Sequence, residues 1–522
     1  MGLIFDRKTA GILMPLYAMR SESDWGVGDF AALEDWVSYF ASIGTGVVQI
    51  LPINEMAPGQ ACPYNALSAF AIDPVYISIK DVPEINASEK AQDFIKRAEH
   101  LYTFWRSADK VYYVMIRDAK QKVLLNAFEY FVDNELAKNT ERAQKFNTYC
   151  THQAHWLHNY CLFRALKDYY KWQSWTTWPE PLKNADVTAL AEFEEKNRNH
   201  VTYFKYLQFV ADEQIAKVTK LAKEKNVKIF GDIPFGINMD SSDVWAEREN
   251  FNLNSEVGAP PDQFSTEGQR WGLPAYNWTK MQGDGFIWWR RKIARACELY
   301  DIFRLDHLVG LFRTYIYDSP EDKGHFDIEG DYAQGHRGYL FLKMVQEMSN
   351  GKQPVGEDLG VIPDFVRSVM KDLEIPGYKI LRWEQDNGWY RDPAAYPWVS
   401  VAALSTHDTE TLRDWWEIMT LHERANAWEM ISSIKTDGAV PFGLGVQETT
   451  IKRVLDSGSA LAMFSIMDIA GTLDRINIPG TVSDANWSTK FDALTSDIET
   501  KYFEQISSFK RLLQETGRST VI

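Results

Sequence analysis

Residues 302–306 read Ile302-Phe303-Arg304-Leu305-Asp306, a short apolar run that stops on a carboxylate. Alternate side chains of an extended strand share a face, so Arg304 and Asp306 point the same way. The pattern recurs along the chain. Val227–Phe230 leads into Asp232, Pro354–Val355 into Glu357, and Val401–Leu404 into His407 and Asp408. Gly11–Leu16, Val47–Leu51, Tyr378–Leu381 and Ala460–Ile466 are runs of the same kind. Periodicity alone does not tell such short runs from buried helix segments. Helix-like stretches separate them, however, and strand alternating with helix predicts parallel βαβ units. Eight such units predict an α/β fold closed as a (β/α)8 TIM barrel rather than an open sheet.

The spacing is uneven, and the long gaps predict insertions around one barrel face. Residues 1–522 read as a single (β/α)8 catalytic domain. Residues 52–226 read as a mainly helical insertion between the second and third strands, with Leu101–Ala137 and His155–Tyr170 as amphipathic helices. Residues 233–290 read as an active-site loop insertion after the third strand, because Met239–Trp289 is rich in Gly, Pro, Asn and Trp. Asp492–Gly517 reads as a closing helix. Loops after barrel strands build the rim above the active face.

Composition narrows the partners. The formal net charge of -16 repels phosphate backbones, which disfavours nucleic acid and anionic membranes but not neutral ligands. Aromatics make up 14% of the chain, and composition alone leaves two readings open: ordinary core, or flat platforms for sugar rings. Cys62, Cys150, Cys161 and Cys297 form no C-x-x-C pair, which fits a reducing compartment. With no secretory h-region near the N-terminus and no apolar stretch of membrane-spanning length, the expected setting is cytoplasmic.

Four acids, Asp232, Asp306, Glu357 and Asp408, stand where predicted strands stop. Parallel barrel strands deliver their ends to one mouth, so these carboxylates converge. A lone strand-end acid is usually a turn or helix cap. Four from separate strands suit metal binding, proton transfer or covalent attack on carbon. Arg304 beside Asp306 favours the ionised carboxylate that a nucleophile needs, although a structural ion pair would look the same. Glu357 near other acids tends to keep its proton, as a general acid must. His407 and Asp408 follow a strand and could hold sugar hydroxyls, although a lone His-Asp pair is more often structural. No His–carboxylate triad appears at facial-ligand spacing, which disfavours a metal-dependent enzyme.

Several segments together resemble glycoside hydrolase family 77, the amylomaltases or disproportionating 4-alpha-glucanotransferases. They are Trp25–Asp29, Gln49–Pro52, Pro63–Phe70, Tyr206–Phe209, Phe230–Pro234, Asp240–Trp245, Val257–Asp262, Gly268–Gly272, Pro274–Trp278, Arg304–His307, Gly356–Gly360 and Thr406–Asp408. The resemblance implies that Asp306 is the nucleophile of a covalent glucosyl-enzyme. It implies that Glu357 is the acid/base and that Asp408 binds hydroxyls and favours the distorted transition state. It also implies that Asp232, Arg304 and His407 support the sugar at the cleavage point. Tyr64, Asp262, Gln269 and Trp271 would line the groove, with Asn486 nearby. No cofactor and no metal is implied. The implied donor is a maltodextrin or a starch- or glycogen-derived glucan, and the acceptor is glucose or a maltooligosaccharide. A retaining double displacement requires the Asp306 and Glu357 carboxyls about 5–5.5 Å apart. Leu308-Val309-Gly310, Leu273, Thr409 and the stretch Asp318–His336 depart from the family pattern, and bear on acceptor choice and the balance of transfer over hydrolysis. An α-1,4-glucan hydrolase shares the same first step, and a non-catalytic glucan-binding protein is the reading from another class.

Overall fold

The computed structural model describes residues 5–261, 267–481 and 483–521. All eight apolar runs are strands: β1 (Thr9–Leu13), β2 (Val47–Gln49), β3 (Lys228–Ile233), β4 (Ile302–Leu305), β5 (Gln353–Gly356), β6 (Gly377–Ile380), β7 (Ser400–Ala403) and β8 (Leu461–Ser465). They close into one parallel barrel in chain order, with β1 pairing both β2 and β8. Boundaries shift by a few residues for local reasons. Pro15 follows β1, and Leu16 falls in a 3-10 turn, since proline cannot donate to a ladder. Ser465 ends β8 and caps the helix Ile466–Ala470 by accepting the Met467 N–H.

Alternation sorts the strand side chains. Val47, Phe230, Ile302, Val355, Tyr378, Val401 and Met463 pack together as one cluster. Their neighbours Val48, Ile229, Phe303, Ala402 and Phe464 join a second, larger cluster with the surrounding helices. The strands are therefore apolar on both faces. Arg304 lies two residues beyond Ile302 and is buried, so it faces the interior above that packed layer. Register then decides its neighbours: Asp232 pairs with Arg304 across β3–β4, and Leu305 pairs with Gly356 across β4–β5.

Between β2 and β3 the chain is helical. The stretch read as one helix over 101–137 is two, Glu89–Ser107 and Tyr113–Phe131. The chain leaves the helix because Lys110 bridges Thr489 and the Val111 N–H donates to the Ser488 carbonyl. The long helix Arg198–Glu224 packs on Phe30–Ser42 and leads directly into β3, the position of a barrel helix.

After β3 the structure departs from the expected loop. Phe251–Ala259 and Gln269–Tyr276 form an antiparallel ribbon, extended by Tyr315–Tyr317 and His325–Phe326 into a four-stranded side sheet. Glycine and Pro274 disguised these strands, and both are tolerated at sheet edges and irregular pairings. At Gly258 a Cβ would lie 1.9 Å from the Gln269 carbonyl oxygen, so the ribbon closes only with glycine there. The closing segment is two helices, Ile498–Lys501 and Phe503–Glu515. Among the described residues no helix is long and apolar enough to cross a membrane.

Candidate active site

Arg304 organises the mouth of the barrel. Its Nη1 lies 2.9 Å from both carboxylate oxygens of Asp232 and 2.9 Å from Oδ1 of Asp306. Its Nη2 lies 3.0 Å from Oε2 of Glu357. One buried guanidinium thus ties together acids delivered by β3, β4 and β5. Burial opposes its charge, but Asp232, Glu357 and Asp306 outweigh that and hold it firmly protonated.

The three acids are not equivalent. The Asp232 side chain is 0% exposed, whereas Asp306 and Glu357 keep 20% and 21%. A ligand can reach the latter two, whereas Asp232 is covered. Glu357 accepts the His307 backbone N–H at 2.6 Å. Burial, with the nearby Asp306 charge and against the pull of Arg304, raises the Glu357 pKa to about 7. A protonated carboxyl is thereby available near neutral pH, as a general acid needs. Asp306 is held on its other oxygen, Oδ2, by the Phe235 backbone N–H at 3.0 Å. His307, just after Asp306, has φ 45°, in the left-handed region, and this turn presents its N–H to Glu357.

The opposite wall comes from loops. The Tyr64 hydroxyl donates to Oδ2 of Asp232 at 2.8 Å and lies 3.0 Å from Nε2 of His407. Burial and the Asp232 charge keep the phenol protonated. With its proton on Asp232, the Tyr64 oxygen accepts from His407, which puts a hydrogen on Nε2. The same nitrogen lies 3.3 Å from Oδ2 of Asp408. Burial disfavours charge on both partners, but each holds the other ionised. His407 titrates above its usual range and Asp408 below its own, with Asn477 Nδ2 donating to Oδ1 of Asp408 at 2.6 Å. The Asp408 side chain remains 41% exposed, so it faces the open groove.

The other groove residues separate. Tyr64 stacks on His407 at 5.4 Å between centroids. The Trp271 ring meets His307 edge-on at 4.9 Å, and its indole N–H donates to the Gln269 side chain at 3.2 Å. Both residues stand on the ribbon strand beside the acids. Asn486 spends its amide on Ile478 and Thr481 within its own loop. That loop meets the site instead through Trp487, whose ring lies 5.6 Å from Tyr64 and 5.8 Å from His407. Asp262 lies outside the described residues. Asn477, Trp487 and Phe235 escaped sequence reasoning, because none stands at the end of an apolar run. Among the described residues, the one group able to share a metal ion is Asp318, Asp322 and His325 on the side sheet, and it includes none of the strand-end acids.

A family profile described as 4-alpha-glucanotransferase matches residues 14–495. A Chlamydia pneumoniae 4-alpha-glucanotransferase is 30% identical over 495 residues, covering 92% of this chain and 90% of the relative. The chloroplastic/amyloplastic 4-alpha-glucanotransferase of Solanum tuberosum is 30% identical over 520 residues, covering 96% and 86%. In fold, the chain superposes on the Streptococcus agalactiae amylomaltase solved in complex with acarbose. The TM-score is 0.84 at 22% identity, over 98% of this chain and 100% of that one. The Corynebacterium glutamicum amylomaltase gives a TM-score of 0.83 at 21% identity, over 96% and 75%.

Proposed function

The chain belongs to the 4-alpha-glucanotransferase family, and from that premise we propose that it moves α-1,4-glucan segments between maltodextrins by a retaining double displacement. Asp306 attacks the anomeric carbon of the donor on its β face, opposite the α-linked oxygen, as Glu357 gives its proton to that departing glycosidic oxygen. A β-linked glucosyl-enzyme forms and the shortened glucan leaves. The 4-hydroxyl of an acceptor glucose or maltooligosaccharide then enters, Glu357 takes its proton, and the new oxygen–carbon bond releases Asp306. Two inversions give net retention. Asp408 and His407 hold the hydroxyls of the distorting sugar, Asp232, Arg304 and Tyr64 brace it, and Asp262, Gln269 and Trp271 line the groove.

The observation that carries this reading is the division of labour around Arg304. Asp306 is ion-paired at 2.9 Å on one oxygen, while Glu357, on the same guanidinium, is raised to about 7. A carboxyl that keeps its proton near neutral pH assigns Glu357 as the acid, and leaves Asp306, ion-paired across the same guanidinium, as the group to attack. Transfer rather than hydrolysis requires that an acceptor outcompete water, and the ribbon carrying Gln269 and Trp271 is placed to wall it out. We further propose a cytoplasmic setting, since all four cysteines are free thiols.

The test is incubation with maltotriose, with chromatography of the products and assays of glucose and reducing ends. Glucose plus a ladder of longer maltodextrins, with reducing ends nearly constant, is the expected result. Glucose and maltose alone, with reducing ends rising, would mean a hydrolase.

A further inference from the structure

Lys292 is buried in the helix Ile287–Leu299, behind the β3 end of the site, and the chemistry above does not use it. Its Nζ donates to the Pro234 carbonyl at 2.6 Å. The rings of Trp289 and Trp288 lie 4.4 and 5.1 Å from that nitrogen. A buried amine is costly unless something needs it there. What it holds is one peptide unit. Pro234 O belongs to the peptide whose N–H is that of Phe235, and this N–H donates to Oδ2 of Asp306 at 3.0 Å. On the far side of the same residue, the Tyr276 hydroxyl donates to the Phe235 carbonyl at 2.5 Å. The Phe235 ring is wedged edge-on between Tyr276 at 5.5 Å and His307 at 5.3 Å.

We propose that Lys292 is a positioning residue for Asp306: together with Tyr276 it clamps the two peptides that flank Phe235, whose N–H fixes the plane of the attacking carboxylate. The inference rests on the reading of Asp306 as nucleophile. Arg304 alone fixes one oxygen and leaves the carboxylate free to pivot about that contact. The second donor removes the pivot, and its own aim depends on the two carbonyls that Lys292 and Tyr276 hold. Burial lowers the Lys292 pKa to about 7 against the fields of Asp243 and Asp306. The clamp does not depend on that titration, because the neutral amine still has N–H groups to donate.

The experiment measures steady-state turnover of α-maltosyl fluoride, whose good leaving group frees the attack by Asp306 from any need for acid help. It compares wild type, Lys292→Met, Lys292→Gln, Tyr276→Phe, the Lys292→Met/Tyr276→Phe double variant and Asp306→Asn, with a thermal midpoint for each. Lys292→Met and Tyr276→Phe should each lower kcat roughly 10- to 100-fold, the cost of a small misalignment. KM should stay within about threefold, because ground-state binding is untouched. The double variant should be no worse than the poorer single one, since both act through the one Phe235 N–H. Lys292→Gln, which retains a donor, should outperform Lys292→Met, which fills the space better; a packing role predicts the reverse order. Turnover of Lys292→Met within about twofold of wild type, or losses that multiply in the double variant, would overturn the proposal. If Lys292→Met does not fold, Lys292→Gln and Tyr276→Phe decide it by the same kcat and KM criteria. Activity surviving in Asp306→Asn would instead remove the nucleophile reading on which the proposal stands.

Discussion

The two sides of the groove are built differently. The floor is held by strands: Asp232, Arg304, Asp306 and Glu357 stand on or just after β3, β4 and β5, adjacent in the sheet and locked by backbone register and one guanidinium. The far wall is held by loops: Tyr64, His407 and Asp408, with Asn477 and Trp487, come from three separate segments joined by side-chain hydrogen bonds, by the Asn477 N–H on the His407 carbonyl, and by ring contacts. In the proposed mechanism the floor carries the reacting groups, whose placement must hold to fractions of an ångström. In that mechanism the wall grips sugar hydroxyls, and its frame of loops can adapt to them.

If that contrast is right, damage to the floor should strike kcat, and damage to the wall should strike binding as well. The largest effect is expected for Asp306→Asn, which removes the attacking charge while preserving shape. Its kcat on maltotriose should fall on the order of 10⁴-fold or more, with the thermal midpoint little changed. Next is Glu357→Gln, with a loss of about 10²- to 10⁴-fold on glucans and a much smaller one in the first-turnover release of fluoride from maltosyl fluoride, which needs no proton. The sign with pH follows from Glu357 titrating at about 7. The acid form is full below that value and disappears above it, so kcat/KM on glucans should fall as pH rises through 7. Equal loss on both substrates would argue against the acid role. The smallest is Asn477→Ala, which takes the 2.6 Å donor from a partly exposed Asp408. A hydrogen bond to a charged group contributes about 1.5–3 kcal/mol when buried; discounted for solvent, the loss in kcat/KM should be about tenfold, with KM rising. A pure kcat effect there would erase the distinction between floor and wall.

The same contrast explains what the sequence discloses. All eight strands were legible because burial on both faces leaves apolar runs with abrupt polar ends, and the floor acids mark those ends. The side sheet was not, since Gly258, Gly272 and Pro274 lie within its strands and mimic a loop. The helix break at 108–112 depends on pairing with residues 488–490, nearly 400 positions away, which no local pattern encodes. Asn477, Trp487 and Lys292 matter only for what they touch across the fold, so residue type and spacing gave no sign of them. Asn486 was noticed while its neighbour Trp487 makes the contact with Tyr64 and His407.

The most direct test of covalent catalysis on the strand-held floor is intact-mass analysis of Glu357→Gln mixed with α-maltosyl fluoride, followed by peptide mapping. Fluoride leaves without acid help, and the missing base slows release. The account predicts protein heavier by one maltosyl group, with the modification on the peptide containing Asp306. Fluoride released with no adduct, or an adduct on another carboxylate, would contradict it.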